Sequence, residues 1–218
     1  MSLRAPSTVT LSGRRFGPLA VAVVAVLAAA HAVGAQPLPF NGPYVGVDVG
    51  RQHLIGGALV DGVDTLQDDS RLVGSAVAGL RGQLGRIAIG GELGLGRTDG
   101  DLRLEDPARR LDVRYGNRRQ WHWALMAGPV LGSRTLLFAY VSEVTRQFAV
   151  TVTRDGSVAS QSDEQGLLRY GVGLERQVHG PLHARAAIGT SRADFGGRPT
   201  NITIGRRLDA SVGLLLQF

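Results

Sequence analysis

The chain has 218 residues, 44% hydrophobic and 19% charged, with a formal net charge of +6, an average polarity too high for a bundle of apolar membrane helices. Cysteine is absent, which excludes a disulfide framework, a thiolate metal site and a cysteine nucleophile. Every basic side chain is Arg, and Arg4, Arg14 and Arg15 precede the first acid, Asp48, so only +3 remains beyond residue 35 and nucleic acid is not an implied partner.

Residues 1–35 have the layout of a cleaved signal peptide: an Arg-containing start, an apolar stretch from Leu19 to Ala30, and the small-residue site Val33-Gly34-Ala35. Cleavage after Ala35 leaves Gln36 first; cleavage after Ala32 is the alternative. The apolar run is shorter than the ~20 residues of a membrane-spanning helix. The expected organisation is a signal peptide, 1–35, and one domain, 36–218.

From Gln36 onward the dominant period is two, in segments matching the ~9–11 residues of a tilted membrane strand. Strands are predicted near 43–52, 71–83, 86–97, 119–132, 135–153, 157–177, 181–193 and 202–218. In the third, Ile87, Ile89, Leu93 and Leu95 share one face, while Ala88, Gly90, Glu92, Gly94 and Gly96 share the other. The last alternates through Leu208, Ala210, Val212, Leu214, Leu216 and Phe218 against Asp209, Ser211, Gly213 and Gln217. A large aliphatic face opposite a face of Gly, Ser and charges makes the polar side the enclosed one, as in a transmembrane barrel. Gly, at 31 residues far above the usual share of about 7%, recurs inside these strands and suggests a smooth inner wall around 91–96.

The connections alternate between tight turns (84–86, 132–134, 179–181) and longer polar loops (53–70, 98–118, 194–201), the periplasmic and extracellular ends of such a barrel. Alternation up to Asp155-Gly156, a hairpin signal, extends the fifth and sixth strands into a protruding ribbon. The fold class is therefore all-β: an antiparallel, eight-stranded, up-and-down transmembrane barrel.

The segment from Gly42 to Gly50 (GPYVGVDVG), Tyr170 to Glu175 (YGVGLE), Asp194-Phe195-Gly196 and the terminal alternation to Phe218 resemble the small outer-membrane β-barrel family of OmpA-type barrels and opacity-like surface proteins. The resemblance covers the whole chain beyond the signal and implies a bacterial outer-membrane location. It also implies that the assembly machinery reads the terminal strand through Phe218, Leu216, Leu214 and Val212. The second strand, Gly- and Ala-rich, departs from the pattern by its weak contrast between faces.

Parity places Asp48, Glu92, Glu143, Glu175 and Asp209 inside with Arg81, Arg169, Arg185 and Arg207, plus Gln120, His122 and Ser211. The expectation is a lumen plugged by an Arg–carboxylate network, because charges removed from water need partners; a proton or ion path is the alternative. Asp61, Asp64, Asp68 and Asp69 make the first loop acidic without the Gly and Glu of a calcium loop. Arg109, Arg110, Arg114, Arg118 and Arg119 of the second loop are candidate contacts for lipopolysaccharide phosphates. Trp121 and Trp123 share a face that suits the outer aromatic girdle. His179 and His183 span a turn without a third metal ligand, and no His lies beside Ser191 or Ser211 as a serine hydrolase requires. The reading is a structural or surface-interaction protein without cofactor or catalytic site. Its partners are membrane lipid, lipopolysaccharide and the assembly machinery, with an extracellular ligand unspecified. The alternative is a lipid-modifying enzyme or a narrow ion channel.

Overall fold

A computed structural model of the chain describes residues 38–60, 63–106, 111–154, 157–193 and 208–218. The signal peptide, Arg109, Arg110, Arg207 and the 194–201 loop lie outside the described residues. Among the described residues there are nine strands: β1 (Gly42–Val60), β2 (Val63–Leu84), β3 (Ile87–Thr98), β4 (Leu102–Asp106), β5 (Leu111–Leu131), β6 (Thr135–Arg154), β7 (Ser157–His179), β8 (Leu182–Ala193) and β9 (Leu208–Gln217).

Eight of them close a ring. The antiparallel order β3-β2-β1-β9-β8-β7-β6-β5 is completed by β3 pairing with β5, from Ile87 opposite Pro129 to Gly96 opposite Gln120. β4 pairs with β5 and lies outside the ring. The terminal strand seals the barrel against the first, from Tyr44 opposite Gln217 to Arg51 opposite Ala210. The Phe218 amide donates to the Pro43 carbonyl at 2.9 Å. Closure leaves no sheet edge within the ring, the condition for β-structure to cross hydrocarbon.

Turns at one end are tight because a left-handed residue reverses the chain: Gly85 (φ 58°) and Gly132 (φ 61°) start the two-residue and three-residue connections there. At the other end the strands run further than the polarity pattern implies. The predicted 53–70 loop is a continuation of the β1–β2 hairpin, paired to Val60 opposite Val63, and the predicted 98–118 loop contains β4 and the start of β5. Beyond the membrane both faces of a hairpin are wet, so backbone pairing continues where hydrophobic alternation has stopped. The β6–β7 ribbon reaches Arg154 opposite Ser157, as its alternation implies.

The faces separate as expected. Val45, Val47, Val49, Leu93, Leu95, Val172, Val212 and Leu214 are all exposed on the outside, an apolar belt too extensive for a water-facing surface. Inside, β2 takes its register from Val73, Val77 and Arg81, which are buried, while Ala76 and Ala78 face out. The periplasmic third of the lumen is apolar, with Phe40, Ala88, Met126, Val130, Leu136 and Phe138 packed together. Inward glycines make room for neighbours: a Cβ at Gly94 would overlap the His122 ring, and one at Gly173 the Phe138 ring. The inner wall is thus filled by large side chains laid over glycines, and it is not the smooth surface expected at 91–96.

Candidate functional site: the lumen network and the outer rim

The lumen holds three tiers of polar side chains. In the lowest, Arg81 Nη1 lies 2.7 Å from Glu175 Oε2, both fully buried, and Arg81 Nη2 donates to Gln217 Oε1 at 2.7 Å. His183 Nδ1 is 2.9 Å from Glu175 Oε1. The Arg81 guanidinium also stacks over Tyr44 at 4.1 Å and over Phe40 at 5.7 Å from the ring centroids. Arg suits this position because its planar fork meets a carboxylate, an amide and two aromatic faces at once.

In the middle tier Arg185 bridges two acids, with Nη1 2.5 Å from Glu92 Oε2 and Nη2 on Asp48. Glu92 is further held by the Tyr44 hydroxyl, which donates at 2.9 Å, and by His122 Nε2 at 3.5 Å. In the upper tier Arg146 donates to Gln52 Oε1 at 2.6 Å and Gln120 Oε1 at 3.3 Å, and Arg169 Nε lies 3.3 Å from Asp209 Oδ2. Within these tiers Arg81, Arg169 and Arg185 meet Glu175, Asp209, Glu92 and Asp48, while the Arg146 guanidinium is held by two amide oxygens, so most of the enclosed charge has a partner of opposite sign.

The structure thus brings together Asp48, Glu92, Glu175, Asp209, Arg81, Arg169 and Arg185 as parity implies. Glu143 is a correction. On β6 the alternate side chains Leu136, Phe138, Ser142, Val144 and Arg146 are buried, whereas Leu137 and Val141 are exposed, so Glu143 belongs to the outer face, with Thr145, which is buried opposite Trp121. There its carboxylate accepts the Trp123 indole N–H at 3.0 Å. The reason is local: Ser142, Glu143, Thr145, Arg146 and Gln147 are polar on both faces, leaving parity undetermined. The tryptophans opposite decide it, since Trp121 pairs with Thr145 and Trp123 with Glu143.

Parity also missed Arg146, His183, Tyr44, Gln52 and Phe40. Arg146 would follow from Val144 on the same face; His183 is obscured because its neighbours Leu182 and Ala184 give no contrast. Phe40 precedes β1 and no strand period reaches it. Its ring is fully buried, edge-on to His183, and its amide donates to Gln83 Oε1 at 3.3 Å.

At the extracellular end, Arg114 pairs with Asp101 (Nε–Oδ2 2.7 Å), and Arg103 with Asp112 (Nη2–Oδ2 2.8 Å) and Glu105 (Nη1–Oε1 3.0 Å). Arg103 hydrogen-bonds to Asp112 and holds its carboxyl below the ordinary range, while the Asp112 carboxylate raises the guanidinium in turn. Arg118 lies in β5 at a register shift between Asn117 and Arg119. Arg119 is exposed beside Trp121 on the outer face. Among the described residues no group of three His, Cys, Asp or Glu is placed to hold a metal ion.

A closed ring of eight antiparallel strands, apolar towards lipid and polar within, defines an outer-membrane β-barrel protein. No family model matches the chain and no curated protein matches its sequence. Among solved structures it is similar to Ail, the attachment invasion locus protein of Yersinia pestis (16% identity over 82% of this chain and 99% of that one, TM-score 0.47). It is also similar to Neisserial surface protein A (13%, 82% and 98%, 0.45) and to the N-terminal β-barrel domain of Pseudomonas aeruginosa OprF (12%, 82% and 99%, 0.40).

Proposed function

We propose that the barrel is a non-catalytic surface-interaction protein whose extracellular strand extensions carry the specificity. The observation that supports this is the sheet standing beyond the closed ring. The β3–β5 ladder ends at Gly96 opposite Gln120 and the β7–β8 ladder at Leu167 opposite Ala193, whereas β5–β6 continues to Leu111 opposite Arg154 and β6–β7 to Arg154 opposite Ser157. Strands carried on a rigid barrel give a binding surface little ordering cost. The filled lumen argues against a channel. Both described lumen histidines face a carboxylate, and neither is hydrogen-bonded to a serine among the described residues, which argues against hydrolase chemistry.

The test shortens the ribbon by replacing 151–160 with an Asn-Gly turn, which ends a hairpin without disturbing the ring. Cells displaying each form are assayed on immobilised extracellular-matrix proteins and glycosaminoglycans. Binding by the full barrel that is lost on shortening supports the reading. Binding that survives shortening, or lipid hydrolysis by the purified barrel, refutes it.

A further inference from the structure

The last rung of the β3–β5 ladder is Gly96 opposite Gln120, and one residue beyond it on each strand stand Arg97 and Arg119. Both are exposed on the outer face, directly after Leu95 and Trp121, the outward apolar residues nearest the end of that ladder. Two guanidiniums on adjacent strands repel each other, an arrangement disfavoured unless an anion lies between them. No carboxylate supplies that anion: neither Arg97 nor Arg119 makes an ion pair among the described residues, and Asp99, exposed two residues on, makes none with either. The contrast with Arg103 and Arg114, each satisfied by acids of the same hairpin, marks this pair out.

We infer that Arg97 and Arg119 form a binding site for the phosphate of an outer-leaflet lipid, whose acyl chains lie along Leu93, Leu95 and Trp121. A phosphate accepts two parallel N–H bonds from each guanidinium, and the position at the boundary of the apolar belt is the depth at which lipid phosphates stand. The inference rests on the barrel's placement in the outer membrane and not on its surface role, so either can fail alone. Of the second-loop candidates it retains Arg119, joined by Arg97 of the barrel wall, and sets aside Arg114, which is already paired with Asp101.

Trp121 and Trp123 are the only tryptophans in the chain, so intrinsic fluorescence reports this face directly. The folded barrel in detergent is titrated with lipid A carrying both phosphates, with dephosphorylated lipid A, and with inorganic phosphate as competitor. Wild type should bind the phosphorylated lipid saturably, and the R97Q/R119Q double variant should bind it about tenfold or more weakly, the scale of losing charge-assisted bidentate contacts. The R103Q/R114Q control should stay within about twofold of wild type, since its partners are acids of the same hairpin. Folding is checked by heat-dependent gel migration, and the single R119Q variant serves if the double variant does not fold. Unchanged affinity in the rim variants, equal binding of dephosphorylated lipid A, or displacement by inorganic phosphate at matched concentration would each overturn the assignment.

Discussion

Phe40 stands edge-on to His183, their ring centroids 5.3 Å apart at an interplanar angle of 84°. A residue outside every strand thereby closes the periplasmic end of the lumen, with Arg81 above it and Met126, Val130, Leu136 and Phe138 around it. Removing the ring should cost about 3–5 kcal/mol, the range for a buried aromatic truncated to Ala. Phe40→Ala is therefore expected to lower the urea midpoint of the folded barrel and to raise the conductance noise in planar bilayers. Wild type is expected to show no large steady openings, because its lumen is filled. Identical traces and midpoints for the two proteins would place Phe40 outside the packed lumen.

Glu92 receives Arg185, Tyr44 and His122 at once. Glu92→Ala leaves the buried Arg185 with Asp48 alone, at a cost of about 3–5 kcal/mol by the usual penalty for breaking a buried pair. Glu105→Ala, which removes one arm of an exposed pair with Arg103, should cost under about 1 kcal/mol. Chemical denaturation in detergent separates the two. A double replacement, Glu92→Leu with Arg185→Met, should recover part of the loss, because two matched apolar side chains leave no orphaned charge.

Phe218 lies 71% exposed on the outer face with Leu216, Leu214 and Val212, on the strand that closes the ring. Phe218→Asp puts a carboxylate at the edge of the apolar belt, and deletion removes the amide that bonds to Pro43. Either change is expected to reduce the folded, heat-modifiable form in isolated outer membranes by several-fold at matched expression. An equivalent change in the 194–201 loop should leave it at wild-type level. Normal amounts of folded Phe218→Asp protein would sink the assembly role of this strand.

Asp112 is held below the ordinary carboxyl range, about 3.9, by its hydrogen bonds from Arg103. A folded-state pKa below the unfolded one means that the contribution of the pair is present above the unfolded value and is lost as pH falls through the lower folded value. The β4–β5 hairpin should therefore loosen only below about pH 4, while the ring persists. Carboxyl-carbon NMR titration of wild type and Arg103→Gln checks this: the midpoint should move up towards the ordinary value in the variant. Coincident midpoints would show that Arg103 does not hold the carboxylate in solution.

Much of the architecture is written in local pattern. Period-two alternation from Ile87 to Leu95 and from Leu208 to Phe218 specifies strands with one lipid face, and Gly85 and Gly132 mark the reversals between them, because side chains two apart on a strand must share a face. The same pattern identified most of the lumen charges. Where polarity is equal on both faces, around Glu143, alternation carries no information, and the tryptophans of the neighbouring strand settled the side. Which charges meet was a matter for ring closure alone. Arg81 and Glu175 are 94 residues apart and Arg185 and Glu92 are 93 apart, on strands that touch through the lumen only once the ring exists. Phe40 as a stopper and Arg97 beside Arg119 arise in the same way: one depends on the width of the closed lumen, the other on the register between β3 and β5. Periodicity along the chain determines the face on which a residue lies, and the closed hydrogen-bond ladder determines what stands opposite it.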